Sequence, residues 1–442
     1  MEGIMKNITN KSLDKITESM LRDPYDKNMY VMVTGAMKLG LTSLIEATMR
    51  GEDGSILHRA YGSSNHNSPW NKLYLNPTQI FQLPVEEFSS IDLSTTIGKN
   101  AKKPIKLSMP LMITGMGYGS SLNLNVKLAI AKATSNVGIS TNTGESGLCR
   151  EERELSKILI GQFNRYNCLN KKEQLSQLDG IEIQLGQGAW GGAVIGNIPS
   201  NKADNHLREV FNLKEGEDAN RTSRLKEINS PEEIINLIKD LKSQYDVPVG
   251  VKIAGSHYIE KDLEILLRSN LDFITIDGAE GGTSGAPPTL EDHLGLPTLY
   301  SLSRAYNFLK EKNAENKVDI IIAGGLRNPG EFLKALALGA KAVYIGSIAV
   351  VATLQSQTIK ATPFEPTPQL FLYDGDKKDD FDIDKGADTL SNFLVSCKEE
   401  MKLALMAMGK NQISELNTLD LVSVDKDLAE ALQIPSAWNP TI

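Results

Sequence analysis

Eight short apolar runs between residues 104 and 350 constrain the fold of this 442-residue chain more than any other feature. Each has the length of a buried strand, and helix signals occupy several of the gaps between them. Buried strands that alternate with helices are typical of a parallel (β/α)8 barrel, the TIM barrel. We therefore predict an α/β fold of that type. The runs are Leu111–Thr114, Val137–Thr141, Ile158–Phe163, Ile181–Leu185, Val249–Ile253, Phe273–Ile276, Asp319–Ala323 and Ala342–Ile345.

Two gaps carry clear helix beginnings. Ser230, Pro231 and Glu233 supply an N-cap, a proline at the first helical position and a capping-box glutamate. The segment from Asn328 to Glu331 repeats this arrangement, and Gly339 is expected to end the helix that follows it. Both segments favour the alternation of strand and helix.

The length of the chain leaves room for extensions, because a barrel of this type takes up about 250 residues. We expect a helical and irregular extension over residues 1–80, the barrel over residues 81–365 and a helical extension over residues 366–442. Within these extensions we predict a helix around Ser12–Met20, a buried helix over Tyr30–Met49, an irregular segment over Gly51–Asn76, an acidic surface loop over Asp374–Asp388, an amphipathic helix over Leu390–Met408 and a short helical tail over Glu415–Pro440.

Composition excludes several classes of function. The formal net charge of -8 argues against a nucleic-acid surface, which needs clustered Lys and Arg. No apolar run reaches the length of a membrane span, and the N-terminal residues lack the apolar core of a signal peptide, so we expect a cytoplasmic protein. Cys149, Cys168 and Cys397 are far apart and form no CxxC pair. We therefore expect no metal site, cluster or disulfide, and a structural role for Cys149.

Glycine-rich and polar loops follow nearly every predicted strand, at the end where barrel enzymes place their sites. The stretch Phe273–Pro297 is the richest of them, and it reads either as a floor for a ligand or as an ordinary surface turn. Gly324-Gly325 and Gly346-Ser347 follow the seventh and eighth strands, where barrels commonly bind a phosphate group. A cofactor that carries a phosphate is therefore expected.

A series of motifs from Pro104 to Ala352 resembles the flavin mononucleotide (FMN) domain of the glutamate synthase family. The C-terminal segment Leu390–Pro440 is similar to a stand-alone branch of that family, which includes the FMN subunit of N-methylglutamate synthase. The motifs are Pro110–Leu122, STNTGESG at Ser140–Gly147, EIQLGQGA at Glu182–Ala189, VGVKIAG at Val249–Gly255, DGAEGGTSGAPP at Asp277–Pro288, DHLGLP at Asp292–Pro297, AGG at Ala323–Gly325 and IGSIA at Ile345–Ala349.

The resemblance implies roles for individual residues. Lys252 would be the cation beside N1 and O2 of the flavin, and Glu145 would exchange a proton with the substrate nitrogen. Implied contacts to the cofactor come from Met116, Gly117 and Gly119 along the ring, Asn142 and Gln184 at its pyrimidine edge, Gly282 and Thr283 in the glycine-rich loop, and Gly324, Gly325, Gly346 and Ser347 at the phosphate. Implied contacts to the substrate come from Gln187, Trp190 and His293.

Three departures from the family pattern bear on the reaction. Val350–Pro368 holds no cysteine, where glutamate synthase has a triplet for an iron–sulfur cluster, and no glutaminase domain is recognisable. Gln184 and Trp190 stand at two positions where the family has lysines, and Gly191 replaces a proline. We therefore expect electrons and ammonia to arrive by other routes, and a substrate that is less anionic or more apolar than 2-oxoglutarate.

The sequence thus predicts an FMN-dependent oxidoreductase that acts on the C–N bond of an amino acid or imine by hydride transfer at flavin N5. One alternative is the FMN subunit of an amine-transferring synthase, with electron-donor and amidotransferase partner subunits. Another is a flavin-binding or interaction subunit that performs no chemistry. In each case we expect a homo-oligomer with no nucleic-acid or membrane partner.

Overall fold

The computed structural model describes residues 2–54, 69–188, 190–193, 196–226, 228–281, 290, 293–362 and 365–439, with backbone alone at residues 2–10 and 53. Its strands are β1 Leu73–Leu75, β2 Thr95–Ile97, β3 Ile105–Leu107, β4 Leu111–Ile113, β5 Thr141–Asn142, β6 Leu159–Phe163, β7 Gly180–Gln184, β8 Gly196–Ile198, β9 Ala219–Arg221, β10 Val249–Ala254, β11 Phe273–Asp277, β12 Asp319–Ala323, β13 Ala342–Ile345 and β14 Leu421–Ser423.

Helices lie between and around these strands. The α-helices are Glu2–Arg22, Tyr30–Leu39, Leu41–Asp53, Leu124–Val137, Arg150–Leu155, Lys172–Leu175, Asn205–Phe211, Pro231–Gln244, Ile259–Leu267, Thr298–Glu311, Pro329–Ala337, Ser347–Leu354, Pro368–Phe371, Ile383–Ala407 and Lys426–Leu432. Short 3-10 helices occupy Tyr25–Lys27, Pro69–Lys72, Phe88–Ser90, Gln355–Lys360, Lys378–Asp380, Ile413–Glu415 and Thr418–Asp420.

Eight parallel strands form the central sheet, in the spatial order β4, β13, β12, β11, β10, β7, β6, β5. The two end strands meet, because the backbone N–H of Ile113 donates to the carbonyl of Ser140 at 3.0 Å. The sheet therefore curls into a nearly closed barrel with helices around it, which confirms the predicted fold class. Apolar residues of these strands, such as Val251, Ile274 and Ile322, are fully buried, and some polar and charged strand residues, Glu182 and Lys252 among them, are buried as well.

The predicted helix beginnings are confirmed. The Ser230 side chain accepts from the backbone of Glu233 while the Glu233 carboxylate accepts from the backbone of Ser230, which is a complete capping box. The Asn328 side chain accepts from the backbone N–H of Glu331 at 3.1 Å. These caps fix where two of the outer helices start against the barrel.

Other expectations were wrong. Val137–Thr141 is not one strand, because the preceding helix runs to Val137, ends at Gly138 with φ 80°, and leaves β5 only two residues long. Tyr30–Met49 is two helices rather than one, since Gly40 adopts φ 80° between them, and the first helix has no buried residue.

The described parts of the terminal segments hold more regular structure than expected, while residues 55–68 of the predicted irregular segment lie outside the described residues. Strand β1 lies within the segment predicted to be irregular, and it pairs antiparallel with β14 from the C-terminal segment, with Tyr74 opposite Val422. The acidic surface loop is shorter than predicted, because Asp382 caps a helix that begins at Ile383. Within the described part of the chain, no helix has both the length and the apolar character needed to cross a membrane.

The long helix Ile383–Ala407 holds the extensions to the barrel. It packs on the helix Leu124–Val137, and its buried face includes Leu390, Phe393 and Met401. The helix Leu41–Asp53 also packs against this long helix. The predicted boundaries at residues 80 and 365 stay predictions, since the extensions and the barrel share one core.

Candidate functional site

The loops that follow β4 and β5 are packed against each other at the C-terminal end of the barrel. A Cβ added to Gly144, which has φ 64°, would lie 2.4 Å from the backbone nitrogen of Gly117. The Ser120 hydroxyl donates to the carbonyl of Glu145 at 3.0 Å. Glycine is therefore required at Gly144, and this contact positions Met116, Gly117 and Glu145 in one place.

Lys252 is a buried cation on β10. Its Nζ lies 3.0 Å from Asp277 Oδ2 and donates to Thr114 Oγ1 at 3.3 Å, and its side chain is 3% exposed. Burial opposes the charged form, but the carboxylates of Asp277 and Glu182 outweigh burial and raise the pKa of Lys252 above its ordinary value. The ammonium charge is thus retained at the end of the barrel.

Glu182 is the centre of a buried polar network inside the barrel, which the sequence analysis did not assign. Its carboxylate accepts from Gln162 Nε2 at 2.7 Å, from Thr275 Oγ1 at 2.7 Å and from Asn142 Nδ2 at 3.1 Å. Burial, then the charge of Glu182, raises the pKa of Tyr344 well above its ordinary value. The hydroxyl of Tyr344 is therefore a neutral neighbour of this carboxylate.

The Asn142 amide is engaged by protein groups rather than directed outward. Its Nδ2 donates to Glu182 and to the Tyr344 hydroxyl at 3.2 Å, and its Oδ1 accepts from the backbone of Gly144 at 2.9 Å. These three bonds fix the turn after β5. The structure thus shows Asn142 orienting the loop of Glu145.

Gln184 ends β7 with an unsatisfied acceptor. Its Nε2 donates to Gln187 Oε1 at 2.9 Å, while its Oε1 is buried and has no hydrogen-bond partner among the described residues. Trp190 Nε1 is likewise buried and without a partner there. Unpaired buried polar atoms cost free energy, so a bound molecule or a residue outside the described ranges would complete them.

Two arginines that the sequence analysis missed hold Glu145. Arg165 contacts its carboxylate at 3.0 and 3.2 Å, and Arg221 contacts it at 3.0 Å. The Arg221 guanidinium also lies 4.2 Å from the centre of the Trp190 ring, and that of Arg165 lies 5.7 Å from it. Arg165 follows β6 by two residues, so its place at a strand end was the one available signal.

Two glycine loops on adjacent strands form a candidate anion site. Gly324 and Gly325 follow β12 with φ 121° and 73°, and Gly346 precedes the helix Ser347–Leu354 after β13. The Thr298 hydroxyl donates to the carbonyl of Gly324 at 2.8 Å, which fixes the first loop. The N–H groups of a helix's first turn lack partners within the helix and favour anions.

The remaining residues that were predicted to contact cofactor or substrate either have other surroundings or lie outside the described residues. Gly282 and Thr283 lie outside the described residues. His293 is exposed. Gly119, with φ 81°, faces the side chain of Leu207 on the helix Asn205–Phe211. Gln187 is joined to Gly191 by two backbone hydrogen bonds of 3.0 Å, so the loop that carries Trp190 is closed on itself.

The fold and these contacts define a barrel with a buried cation and two adjacent glycine loops at the C-terminal ends of its strands. The conserved region in glutamate synthase matches residues 63–411, which is most of the chain. The chain therefore belongs to the glutamate synthase family.

Relatives differ in how much of their length is matched. An archaeal-type glutamate synthase (NADPH) of Thermotoga neapolitana is 32% identical over 332 residues, covering 70% of this chain and 65% of its own length. A glutamate synthase large subunit-like protein of Rhizobium meliloti is 29% identical over 410 residues, covering 86% of this chain and 91% of its own. The chain thus spans just under two thirds of the Thermotoga relative.

Solved structures share the fold. A mutant flavocytochrome b2 with benzoylformate aligns with a TM-score of 0.52 at 13% identity, covering 89% of this chain and 82% of that chain. A lactate oxidase of Pediococcus acidilactici aligns with a TM-score of 0.52 at 13% identity, covering 85% and 92%. At such identities the likeness establishes the barrel architecture.

Proposed function

We propose that the protein is an FMN-dependent oxidoreductase that acts on the C–N bond of an amino acid or imine. The observation that carries this proposal is the pairing of two features at one end of the barrel. Lys252 supplies a buried positive charge on β10, and the glycine loops after β12 and β13 supply an anion site. A phosphate-bearing ring system with an electron-rich edge fits both features.

The residues present fit FMN on chemical grounds. Gly324, Gly325, Gly346 and Ser347 would hold its phosphate, and Lys252 would lie beside the edge of the ring that becomes negative. The unpaired Oε1 of Gln184 would accept a hydrogen bond from a ring N–H. FMN, when bound, supplies the hydride acceptor or donor that no amino-acid side chain can provide.

The charges around Glu145 favour an anionic substrate group. Two guanidinium groups, those of Arg165 and Arg221, surround the single carboxylate of Glu145. Arg221 also lines a cavity of about 420 Å³ together with Asn197 and Asn220. These arginines would offset the two lysines that the family pattern has and this chain lacks. We therefore revise the expectation of a less anionic substrate and propose that a carboxylate on the substrate finds a partner here.

Glu145 would exchange a proton with the substrate nitrogen. Its two oxygens are fixed by the two arginines, and its backbone is fixed by Ser120. A general acid or base must be held within hydrogen-bond reach of the reacting atom. The indole ring of Trp190 would form the apolar side of the same space.

The first experiment compares the bound flavin of the parent with that of Ser347→Asp and Ser347→Asn. Ser347 is exposed at the first position of its helix, where a carboxylate is compatible with the helix but repels a phosphate. We expect bound FMN in the parent and the Asn variant, by absorbance and by chromatography of the released flavin, and strongly reduced FMN in the Asp variant. A colourless parent that cannot be reconstituted with FMN would overturn the proposal and favour the non-catalytic subunit.

A second candidate is the FMN subunit of a multi-subunit, amine-transferring synthase. It is favoured by the match with the Rhizobium meliloti protein, which is named large subunit-like and is covered almost end to end. In that case the flavin-loaded chain alone would turn over no amino acid or imine. Activity would appear on addition of an electron-donor or amidotransferase subunit.

A further inference from the structure

Three metal-ligating side chains converge beside the loops of the candidate site. Cys149 Sγ lies 3.1 Å from Glu151 Oε2, and His206 Nε2 lies 3.4 Å from the same oxygen. All three ligand atoms lie within 4.8 Å of one another. They come from two separate elements, since Cys149 and Glu151 begin the helix Arg150–Leu155 and His206 belongs to the helix Asn205–Phe211.

Two of the three separations suit a tetrahedral metal ion, and the third, between Cys149 Sγ and His206 Nε2, is at most 4.8 Å. Zinc binds Cys sulfur at about 2.3 Å and His nitrogen or carboxylate oxygen at about 2.0–2.2 Å, so tetrahedral ligand atoms lie about 3.3–3.6 Å apart. The two separations quoted above lie within a few tenths of an ångström of that range. Thiolate, imidazole and carboxylate together are a donor set that zinc accepts readily.

The histidine also has a hydrogen-bond partner on its other ring nitrogen, as metal-bound histidines do, here a tyrosine hydroxyl. Tyr118 Oη lies 3.0 Å from His206 Nδ1, and the two rings meet edge to face at 5.4 Å between centres. A hydrogen bond at Nδ1 fixes the ring orientation and leaves Nε2 directed at the other two ligand atoms. Tyr118 is buried, so this bond lies on the protected side of the cluster.

We propose that Cys149, Glu151 and His206 bind one Zn²⁺ ion, with solvent at the fourth position. The Cys149 side chain is buried, whereas the side chains of His206 and Glu151 are 32% and 45% exposed. The sulfur ligand would therefore lie on the buried side of the ion, and the fourth coordination position would face solvent. This proposal departs from the expectation, drawn from cysteine spacing, that the chain has no metal site.

The position of the cluster assigns the ion a structural role. Cys149 lies four residues after Glu145 in the same loop, and a Cβ on Gly147 between them would lie 1.8 Å from the carbonyl of Val210. The helix Asn205–Phe211 is thus pressed directly onto the loop of Glu145. A zinc ion would join this helix to that loop and hold Glu145 toward its arginines.

The test measures Zn²⁺ binding by the full-length protein after dialysis against a chelator, using titration calorimetry. We expect one Zn²⁺ per chain, a loss of affinity of at least about 100-fold in Cys149→Ser and His206→Gln, and a loss of about 10-fold in Tyr118→Phe. Cys397→Ser removes a buried thiol from the helix Ile383–Ala407 and serves as the matched control. We expect its affinity for Zn²⁺ to equal that of the parent.

Circular dichroism establishes which variants fold. Should Cys149→Ser fail to fold, His206→Gln carries the test, because its side chain is partly exposed. Zinc should raise the melting temperature of the parent and of Cys397→Ser, but not that of His206→Gln. A parent that binds no stoichiometric Zn²⁺, or a His206→Gln variant that binds it as tightly as the parent, would overturn the proposal whatever the flavin content.

Discussion

At the scale of single residues, the pair of Lys252 and Asp277 is the most consequential contact. Its side chains are 3% and 11% exposed, so each charge depends on the other for compensation. Removing one partner of a buried pair typically costs about 3–5 kcal/mol, because the remaining charge has no compensation. We expect Lys252→Met to lower the free energy of unfolding by about that amount in urea titrations.

The double variant Lys252→Met/Asp277→Asn distinguishes the loss of the ion pair from a general destabilisation of the site. Because the second change removes the uncompensated carboxylate, we expect it to be markedly more stable than Lys252→Met alone. A double variant that loses the sum of the two single losses would show that the pair is not coupled.

The sequence motifs predicted some residues of the candidate site and gave no signal for others, for a physical reason. Lys252 and Glu145 stand inside recognisable motifs on or just after strands. Arg165 and Arg221 stand in segments without such a pattern, and only the folded chain brings them to Glu145. Glu182 stands in one of the quoted motifs, but the sequence does not indicate its role. That role follows from the three side chains that donate hydrogen bonds to its carboxylate in the folded barrel.

At the scale of elements, a buried lysine connects the helix Leu124–Val137 to β5. Lys127 Nζ contacts Glu152 Oε1 at 2.7 Å and donates to the carbonyl of Asn142 at 2.7 Å, and both charged side chains are at most 2% exposed. Burial raises the pKa of Glu152 despite this lysine. We expect Lys127→Met to destabilise the protein by about 3 kcal/mol in denaturant titrations.

The same helix provides the control for that prediction. Lys132 pairs with Asp384 at 2.6 Å, but their side chains are 39% and 77% exposed. Exposed pairs contribute about 0–1 kcal/mol, so Lys132→Met should change the unfolding midpoint little. Equal losses from the two substitutions would contradict a special role for burial.

Close packing of the helix Asn205–Phe211 yields a second prediction at this scale. A Cβ on Gly119 would lie 2.3 Å from Leu207 Cδ1, whereas a Cβ on Gly216 would meet nothing within 4 Å. Both glycines have positive φ, at 81° and 76°, so an alanine would cause similar backbone strain at either position. We expect Gly119→Ala to lower the melting temperature further than Gly216→Ala, by the equivalent of about 1–3 kcal/mol.

Elements were predictable where apolar runs were long enough. Seven of the eight predicted runs contain a barrel strand with nearly the expected bounds, since burial on both faces leaves a continuous apolar signal. Strand β5 was misplaced because it consists of only Thr141 and Asn142, and the apolar signal before it belongs to the end of a helix. The pairing of β1 with β14 had no local signal at all.

At the scale of the whole molecule, Arg50 joins the two terminal extensions. It contacts Glu400, donates to Ser396 Oγ at 3.3 Å and lies 3.8 Å from Glu46, with its own side chain 5% exposed. We expect Arg50→Met to weaken the packing of the helix Leu41–Asp53. Amide hydrogen exchange in that helix should become at least about tenfold faster, which corresponds to about 1.4 kcal/mol.

Arg22→Met is the control for that experiment. Arg22 pairs with Glu18 at 2.6 Å within one helix, where both side chains are more than half exposed. This substitution should leave exchange in Leu41–Asp53 unchanged. Faster exchange there in the control would mean that the extension responds to any loss of charge.

The antiparallel pair of β1 and β14 brings together residues almost 350 positions apart. During synthesis, Leu73 to Leu75 leave the ribosome long before Leu421 to Ser423 exist, and β4 likewise waits for β13. Contacts between such distant residues form late and slow the completion of a fold. A nascent chain that stops before Leu421 therefore presents an unpaired strand edge, on which other unfinished chains can associate.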